Sequence, residues 1–81
     1  MALKTLRVTS TSLVDIDGGA PVHIWALEAD GGAVEITADS TVIWEGAANG
    51  DQISFPRGLG PFTQILVDAN AAYIHFGREA R

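Results

Sequence analysis

The best spacing for metal chemistry in this chain is found in the paired carboxylates of Asp15-Ile16-Asp17-Gly18. Alternating carboxylates followed by a glycine can wrap a hard cation, as at the start of a calcium-binding loop. The later ligands of such a loop have no counterpart, because Glu28 stands close to the required spacing but falls in a predicted strand. The pattern therefore favours an ordinary turn in which aspartate side chains accept hydrogen bonds from turn amides.

Two histidines, His23 and His75, are the other candidate metal ligands. They fall on separate predicted strands, and two histidines without a third ligand make a poor metal site, so packing is the favoured role. General acid and base chemistry needs titratable groups that converge in a cleft, whereas the carboxylates here fall mainly in turns or on exposed strand faces. The chain has no cysteine and no serine in a nucleophile elbow. We expect no enzyme activity, no metal and no cofactor.

Three aromatic residues, Trp25, Trp44 and Tyr73, could form a platform for a sugar. This would make the protein a small carbohydrate- or receptor-binding module, such as a tail or spike component. Tryptophan in an apolar strand more often supplies buried area to a core or a subunit interface. The sequence leaves open whether Trp25 and Trp44 are core, interface or ligand platform.

A stiff loop is predicted at Pro56-Arg57-Gly58-Leu59-Gly60-Pro61, because its prolines and glycines oppose regular strand pairing. It offers a cation, Arg57, and an apolar tip, Leu59. We interpret it either as a docking element or as a connection crossing from one sheet to the other.

The elements that must position these residues are short strands. Val22 to Glu28 is apolar on both alternating faces, and Val34 to Ala38 alternates apolar and polar residues. Asp30-Gly31-Gly32 between them predicts a tight turn, with Asp30-Gly31 as the loop that keeps Glu28 and Glu35 from facing each other. Whichever two residues form the loop, one face of this predicted hairpin forms the core: Trp25, Leu27, Val34 and Ile36.

The remaining strands follow the same turn chemistry. Strands are predicted at 3–8, 13–16, 41–46 and 52–55, with a tight turn at Asp39-Ser40, and a last hairpin joins 64–68 to 72–76 around Ala69-Asn70-Ala71. Seven to eight short strands without a helical period indicate an all-β fold, an antiparallel β-sandwich or small jelly-roll-like barrel. The chain is predicted to be one domain over 1–81, in which 1–12 could extend as an N-terminal arm and 78–81 form a frayed tail.

Composition limits the partners. The chain has 81 residues and a net charge of −5, and its few cations are scattered, which argues against nucleic acid. No apolar run approaches the roughly 18 residues of a membrane span, and the start lacks the apolar core of a signal peptide. We expect a protein made in the cytoplasm with no membrane partner.

The apolar load predicts self-association. Hydrophobic residues make up 47% of a chain that has no cysteine for cross-linking, and a domain this small buries only about 60% of its unfolded surface. Some apolar surface is therefore expected to face a partner. The candidate partner contacts lie in the N-terminal segment, the central strand and the proline-rich loop: Lys4, Leu6, Arg7, Val22, Ile24, Trp25, Arg57 and Leu59.

Three stretches carry a family resemblance: the opening MALKTLRVTSTS, the central AANGDQISFPRGLG and the closing ILVDANAAYIHFG. Together they resemble the small β-sandwich virion structural proteins of tailed bacteriophages, of the capsid decoration (cement) or head-tail accessory type. The resemblance covers nearly the whole chain and rests on the order of the predicted strands and on the local sequence patterns of these three stretches. It carries no catalytic motif.

The resemblance implies a virion subunit, often trimeric, that binds the outside of an assembled shell. Its partners would be further copies of itself and the major capsid protein or other virion proteins. Ala2 to Ser12, with Lys4 and Arg7 among threonines, could pair with a capsid strand by β-augmentation.

Overall fold

The computed structural model describes residues 3–9 and 12–79. These residues form six strands, all paired antiparallel, and contain no helix that could cross a membrane. The predicted all-β antiparallel class is confirmed. The strands in chain order are β1 Lys4–Val8, β2 Val14–Asp15, β3 Val22–Ala38, β4 Thr41–Gly46, β5 Gln52–Phe62 and β6 Gln64–Gly77.

Two long strands, β3 and β6, run side by side and build both halves of the fold. In the first half, residues 23–30 of β3 pair with 71–77 of β6, and β5 and β1 flank this pair. In the second half, residues 34–38 of β3 pair with 65–69 of β6, and β4 and β2 flank the pair. Each half is therefore a small sheet, and the same two strands continue through both.

The halves meet where the β3–β6 register breaks. Asp30 pairs with Ala71 and Val34 with Ala69, so three residues of β3 stand opposite one residue of β6. Gly31, Gly32 and Ala69 have positive φ there, and the Asn70 Nδ2 donates a 2.7 Å hydrogen bond to the Ala33 carbonyl. A β-bulge of this kind bends the strands and sharpens their twist.

One apolar cluster fills the space between the halves. It contains residues of both segments of β3 and both segments of β6, together with Val8 and Ile16. The largest fully buried side chains are Ile24, Leu27, Ile36, Ile65, Ile74, Val22 and Val67. Removing this apolar surface from water is the main favourable term in folding. The two halves therefore close on each other in a sandwich-like arrangement.

Two sequence predictions of chain reversal are wrong. Asp30-Gly31-Gly32 does not end a strand, and Ala69-Asn70-Ala71 does not join a hairpin. Both segments lie opposite each other at the bend between the halves. Glycine and asparagine, which accept the unusual φ of a tight turn, also permit a bulge. Because the chain does not reverse at these two places, it has six strands instead of the predicted seven to eight.

Two other predicted elements, a turn and a strand, are confirmed. The tight turn at Asp39-Ser40 joins β3 to β4, and the predicted strand at 41–46 is β4. Residues 4–8 of the predicted N-terminal arm are a sheet strand, and the rest of the arm includes residues 1, 2, 10 and 11, which lie outside the described residues. In the predicted frayed tail, Arg78 is fixed by an ion pair with Asp17, and residues 80 and 81 lie outside the described part.

Candidate functional site

The paired carboxylates near the start of the chain serve the fold. Asp17 accepts a 2.8 Å hydrogen bond from the Arg78 Nε, and the Lys4 Nζ lies 3.7 Å from its carboxylate. The bond and charge of Arg78, helped by Lys4, lower the pKa of Asp17. Asp15 accepts a hydrogen bond from the Gln64 side chain. Among the described residues, no group of three or more His, Asp or Glu side chains is placed to hold a metal ion.

The two histidines occupy different places on the first half. The His75 Nδ1 lies 2.8 Å from the Thr5 Oγ1, which ties β6 to β1. His23 stands opposite Gly77, and its Nδ1 is buried without a hydrogen-bond partner among the described residues. Among the described residues, neither histidine belongs to a group of side chains that could hold a metal ion.

The three aromatic residues do not form a common platform. Trp25 retains only 9% of its surface, so it cannot offer a face to a sugar. Trp44 packs against the core of the second half, where its ring fills the space that Gly46 leaves free. Tyr73 lies opposite Glu28 in the first half, with the Arg7 guanidinium 6.0 Å from its ring centroid.

Trp25 is buried by an excursion of β5. Between the pairs Ala26–Ser54 and Ile24–Leu59, β3 has one residue, Trp25, and β5 has four. The Gly58 backbone lies against this tryptophan, and a methyl group at Gly58 would approach the His23 Cβ to 3.1 Å. The predicted 56–61 loop thus covers the second apolar face of the central strand.

The outer side of this excursion forms a concavity of about 350 Å³, lined by Phe55, Pro56, Arg57, Gly58 and Leu59. Its lining is mainly apolar, and Arg57 is the cation at its rim. We name this surface the Arg57 concavity. Both residues that the sequence singled out in this loop, Arg57 and Leu59, contribute to it.

The structure corrects three of the predicted partner contacts. Val22 and Ile24 have no exposed surface, because both side chains point into the shared core. They cannot contact a partner in the folded chain. Trp25 is excluded in the same way by the β5 excursion, so the apolar excess of the central strand is covered by its own chain.

The predicted contacts of the N-terminal segment lie on β1. Lys4 and Arg7 are exposed, and they are held by Asp17 and by a 2.8 Å hydrogen bond to Asp30 respectively. Leu6 is half-buried against the core. This strand pairs with β6 on one side, and no described residue pairs with its other side.

Sequence reasoning missed a row of exposed carboxylates on the second half. Glu45 of β4 stands opposite Glu35 of β3, which in turn stands opposite Asp68 of β6. A hydrogen bond between the two glutamates, partial desolvation and the charges of Glu45 and Asp68 raise the pKa of Glu35. We name these three residues the acidic row.

The acidic row depends on a β-bulge that cannot be found by counting residue pairs back from the turn. The Asp39-Ser40 turn alone would place Glu35 opposite Trp44, but the register shifts by one between Ile36 and Thr37 and brings Glu45 there instead. The pairing with Asp68 also requires the β3–β6 alignment, which the predicted hairpins hid. The alternation of Val34, Glu35 and Ile36 was the signal available, since it directs Glu35 outward.

Comparison with protein-family models, with curated proteins and with solved structures found no match to this chain.

Proposed function

We propose that this chain is a non-enzymatic structural subunit of a tailed-bacteriophage virion, a capsid decoration protein that self-associates and binds the outside of the shell. Two lines support this proposal. The opening, central and closing motifs resemble such proteins, and the residues that could have carried chemistry are engaged in the fold. What the described surface offers is an open strand edge and two charged patches.

The observation that carries the proposal is the outer edge of β1, with which no described residue pairs. An edge strand presents unpaired backbone groups and is a template for a strand of another chain. Addition of a strand from the major capsid protein would use this edge by β-augmentation. Lys4 and Arg7 are already ordered by Asp17 and Asp30, which reduces the entropy lost when a partner binds.

The first test is the presence of the protein in particles. Mass spectrometry of virions purified from the phage that carries this gene should detect the chain at a stoichiometry comparable with that of the major capsid protein. Particles made without the gene should bind the purified protein when it is added back. Its absence from purified virions, together with no binding to such particles, would overturn the proposal.

The second test locates the contact. Hydrogen exchange of the bound protein should slow at the backbone amides of β1, because an added strand protects the open edge. The amides of β3, which has neighbours on both sides, are the internal reference and should change little. Binding without any added protection at β1 would contradict the proposed mode of attachment.

A further inference from the structure

Arg57 differs from the other basic side chains that the structure describes. Lys4, Arg7 and Arg78 each form an ion pair, whereas Arg57 forms none with another described residue. It is exposed at the rim of the Arg57 concavity, beside apolar surface from Pro56 and Leu59. This surface therefore combines an unneutralised positive charge with an apolar hollow.

The acidic row has the opposite character. Its three carboxylates are exposed, and none forms an ion pair with a described residue. Like charges directly opposed across strands are destabilising, and such a departure from local rules is expected where a surface has a function. Val42 of β4, 51% exposed, lies on the same outer face as the row.

The two surfaces are opposite in charge, and each has an apolar part. Val42 stands opposite Thr37, two residues along the strand from Glu35, which corresponds to roughly 7 Å. Arg57 likewise lies beside apolar surface, because Pro56 and Leu59 line the same concavity. One surface thus offers an apolar side chain beside carboxylates, and the other offers an apolar hollow beside a cation.

Building on the self-association in the proposed function, we infer that copies of this chain associate head to tail. The Arg57 concavity of one copy binds the acidic row and Val42 of the next. Among the described residues, Arg57 and the acidic row form no ion pair with each other, so the contact is assigned to two copies. A contact between two different patches is heterologous, and it builds either a closed ring or an open chain of copies.

Charge reversal at both surfaces tests the contact. Wild type should form oligomers in light scattering at low salt, and the oligomers should weaken as salt screens exposed charges over about 10 Å at 0.1 M. Arg57→Glu should weaken association by about tenfold or more, because like charges then face each other, and Glu45→Arg should weaken it because a cation then stands among the carboxylates that Arg57 meets. The two variants mixed should associate again, since the introduced glutamate then meets the introduced arginine and the unaltered Arg57 meets the unaltered acidic row.

Two controls keep the result specific. Glu79→Arg changes net charge as Glu45→Arg does, but it lies beyond the end of β6, and it should leave association unchanged. The double variant Arg57→Glu with Glu45→Arg should associate by itself, which shows that the two positions meet directly. Circular dichroism should show the same all-β signal for every variant.

Three results would overturn the inference: a monomeric wild type at low salt, single variants that associate as wild type does, or a mixture that stays monomeric. None of these touches the presence of the protein in virions. A chain found in virions but monomeric in solution would therefore reject the head-to-tail contact and leave the proposed function standing.

Discussion

At the scale of single residues, charge is used in two ways. Asp17, Asp30 and Asp39 neutralise or satisfy groups of their own chain, while Glu35 lies between two other carboxylates. The first kind holds segments together that are distant in sequence. The repulsion between Glu35 and its neighbours destabilises the fold, and the pKa of Glu35 is raised, which titration can detect.

Glu35→Gln should stabilise the protein at pH 7. The pKa of Glu35 is raised in the folded state, so the fold binds a proton more readily than the unfolded chain does, and stability falls as pH rises from about 4.5 through the folded pKa. The glutamine variant should lack this decline. Urea unfolding at several pH values, on dilute monomer, measures it. Glu79→Gln is the control, and its stability should decline with pH as that of wild type does. If the stability of Glu35→Gln declined as much as that of wild type, the assignment of this decline to Glu35 would be refuted.

Asp39 shows the stabilising use of a carboxylate. It sits in the β3–β4 turn with φ 45° and accepts hydrogen bonds from the backbone amides of Thr63 and Gln64, at 3.2 and 2.9 Å. The bond from the Gln64 amide, followed by those from Thr63, lowers the pKa of Asp39. This contribution to stability is present above about pH 3.8 and is lost as pH falls through the folded pKa.

Asp39→Ala should lower the free energy of unfolding by about 1–2 kcal/mol at pH 7, because two backbone amides lose a charged acceptor. Asp39→Asn is the matched variant: asparagine tolerates positive φ and keeps one acceptor oxygen, so its loss should be smaller. Urea unfolding of both variants measures the difference. Equal losses in the two variants would contradict this prediction, because the acceptor oxygen that asparagine keeps would then contribute nothing.

At the scale of elements, the β5 excursion and the central bend decide the shape. Gly58 has φ 75° and lies against His23 and Trp25, whereas Gly50 has φ 87° with nothing within 4 Å of the position of an added Cβ. The two glycines thus share a backbone conformation and differ in their surroundings. They form a natural pair for separating backbone strain from close packing.

Gly58→Ala should destabilise the fold more than Gly50→Ala does. Both variants force an L-residue into a left-handed conformation, at about 1–2 kcal/mol, and Gly58→Ala should add about 1 kcal/mol or more by pushing the excursion away from Trp25. Thermal unfolding measures the loss, and in a Trp44→Phe background the fluorescence of Trp25 should shift to the red. Equal losses without a spectral shift would mean that Gly58 does not pack on Trp25.

The same elements show how far sequence patterns reach. The alternation of apolar and polar residues predicted the strands around Leu27, Ile36 and Trp44 correctly, because each of these strands buries one of its faces. It failed at Gly31-Gly32 and at Asn70, since turn chemistry does not say whether the chain reverses or only bends. That choice is settled by a distant segment: each bend faces the other, and the Asn70 side chain bonds to the Ala33 carbonyl.

At the scale of the whole molecule, one core serves both halves. Sequence reasoning assigned Val22 and Ile24 to a partner, because it counted a second apolar face on the central strand. A bulge at Trp25 and the β5 excursion remove that second face. Arg57 is exposed, as predicted, whereas Leu59 is half-buried and pairs with Ile24, because residues 56–61 belong to β5 instead of forming a loop. The acidic row could not be found, because it depends on register across three strands.

A shared core predicts that the halves unfold together. Ile24 in the first half and Ile36 in the second are both fully buried residues of β3, so Ile24→Val and Ile36→Val remove the same methylene from opposite sides of the bend. Each should lower the free energy of unfolding by about 0.5–1.5 kcal/mol. Because unfolding of a small domain with one core is cooperative, each variant should lower the transition midpoint throughout the chain.

Two single-tryptophan backgrounds make this measurable. Trp44→Phe leaves Trp25 as the reporter of the first half, and Trp25→Phe leaves Trp44 as the reporter of the second. Within each background, urea unfolding followed by fluorescence should show the same shift for Ile24→Val and for Ile36→Val, whichever half the reporter occupies. If a substitution shifts the transition only in the background whose tryptophan shares its half, the halves unfold independently. The bend between Asp30 and Val34 would then be a boundary between two folding units, and not a fold within one.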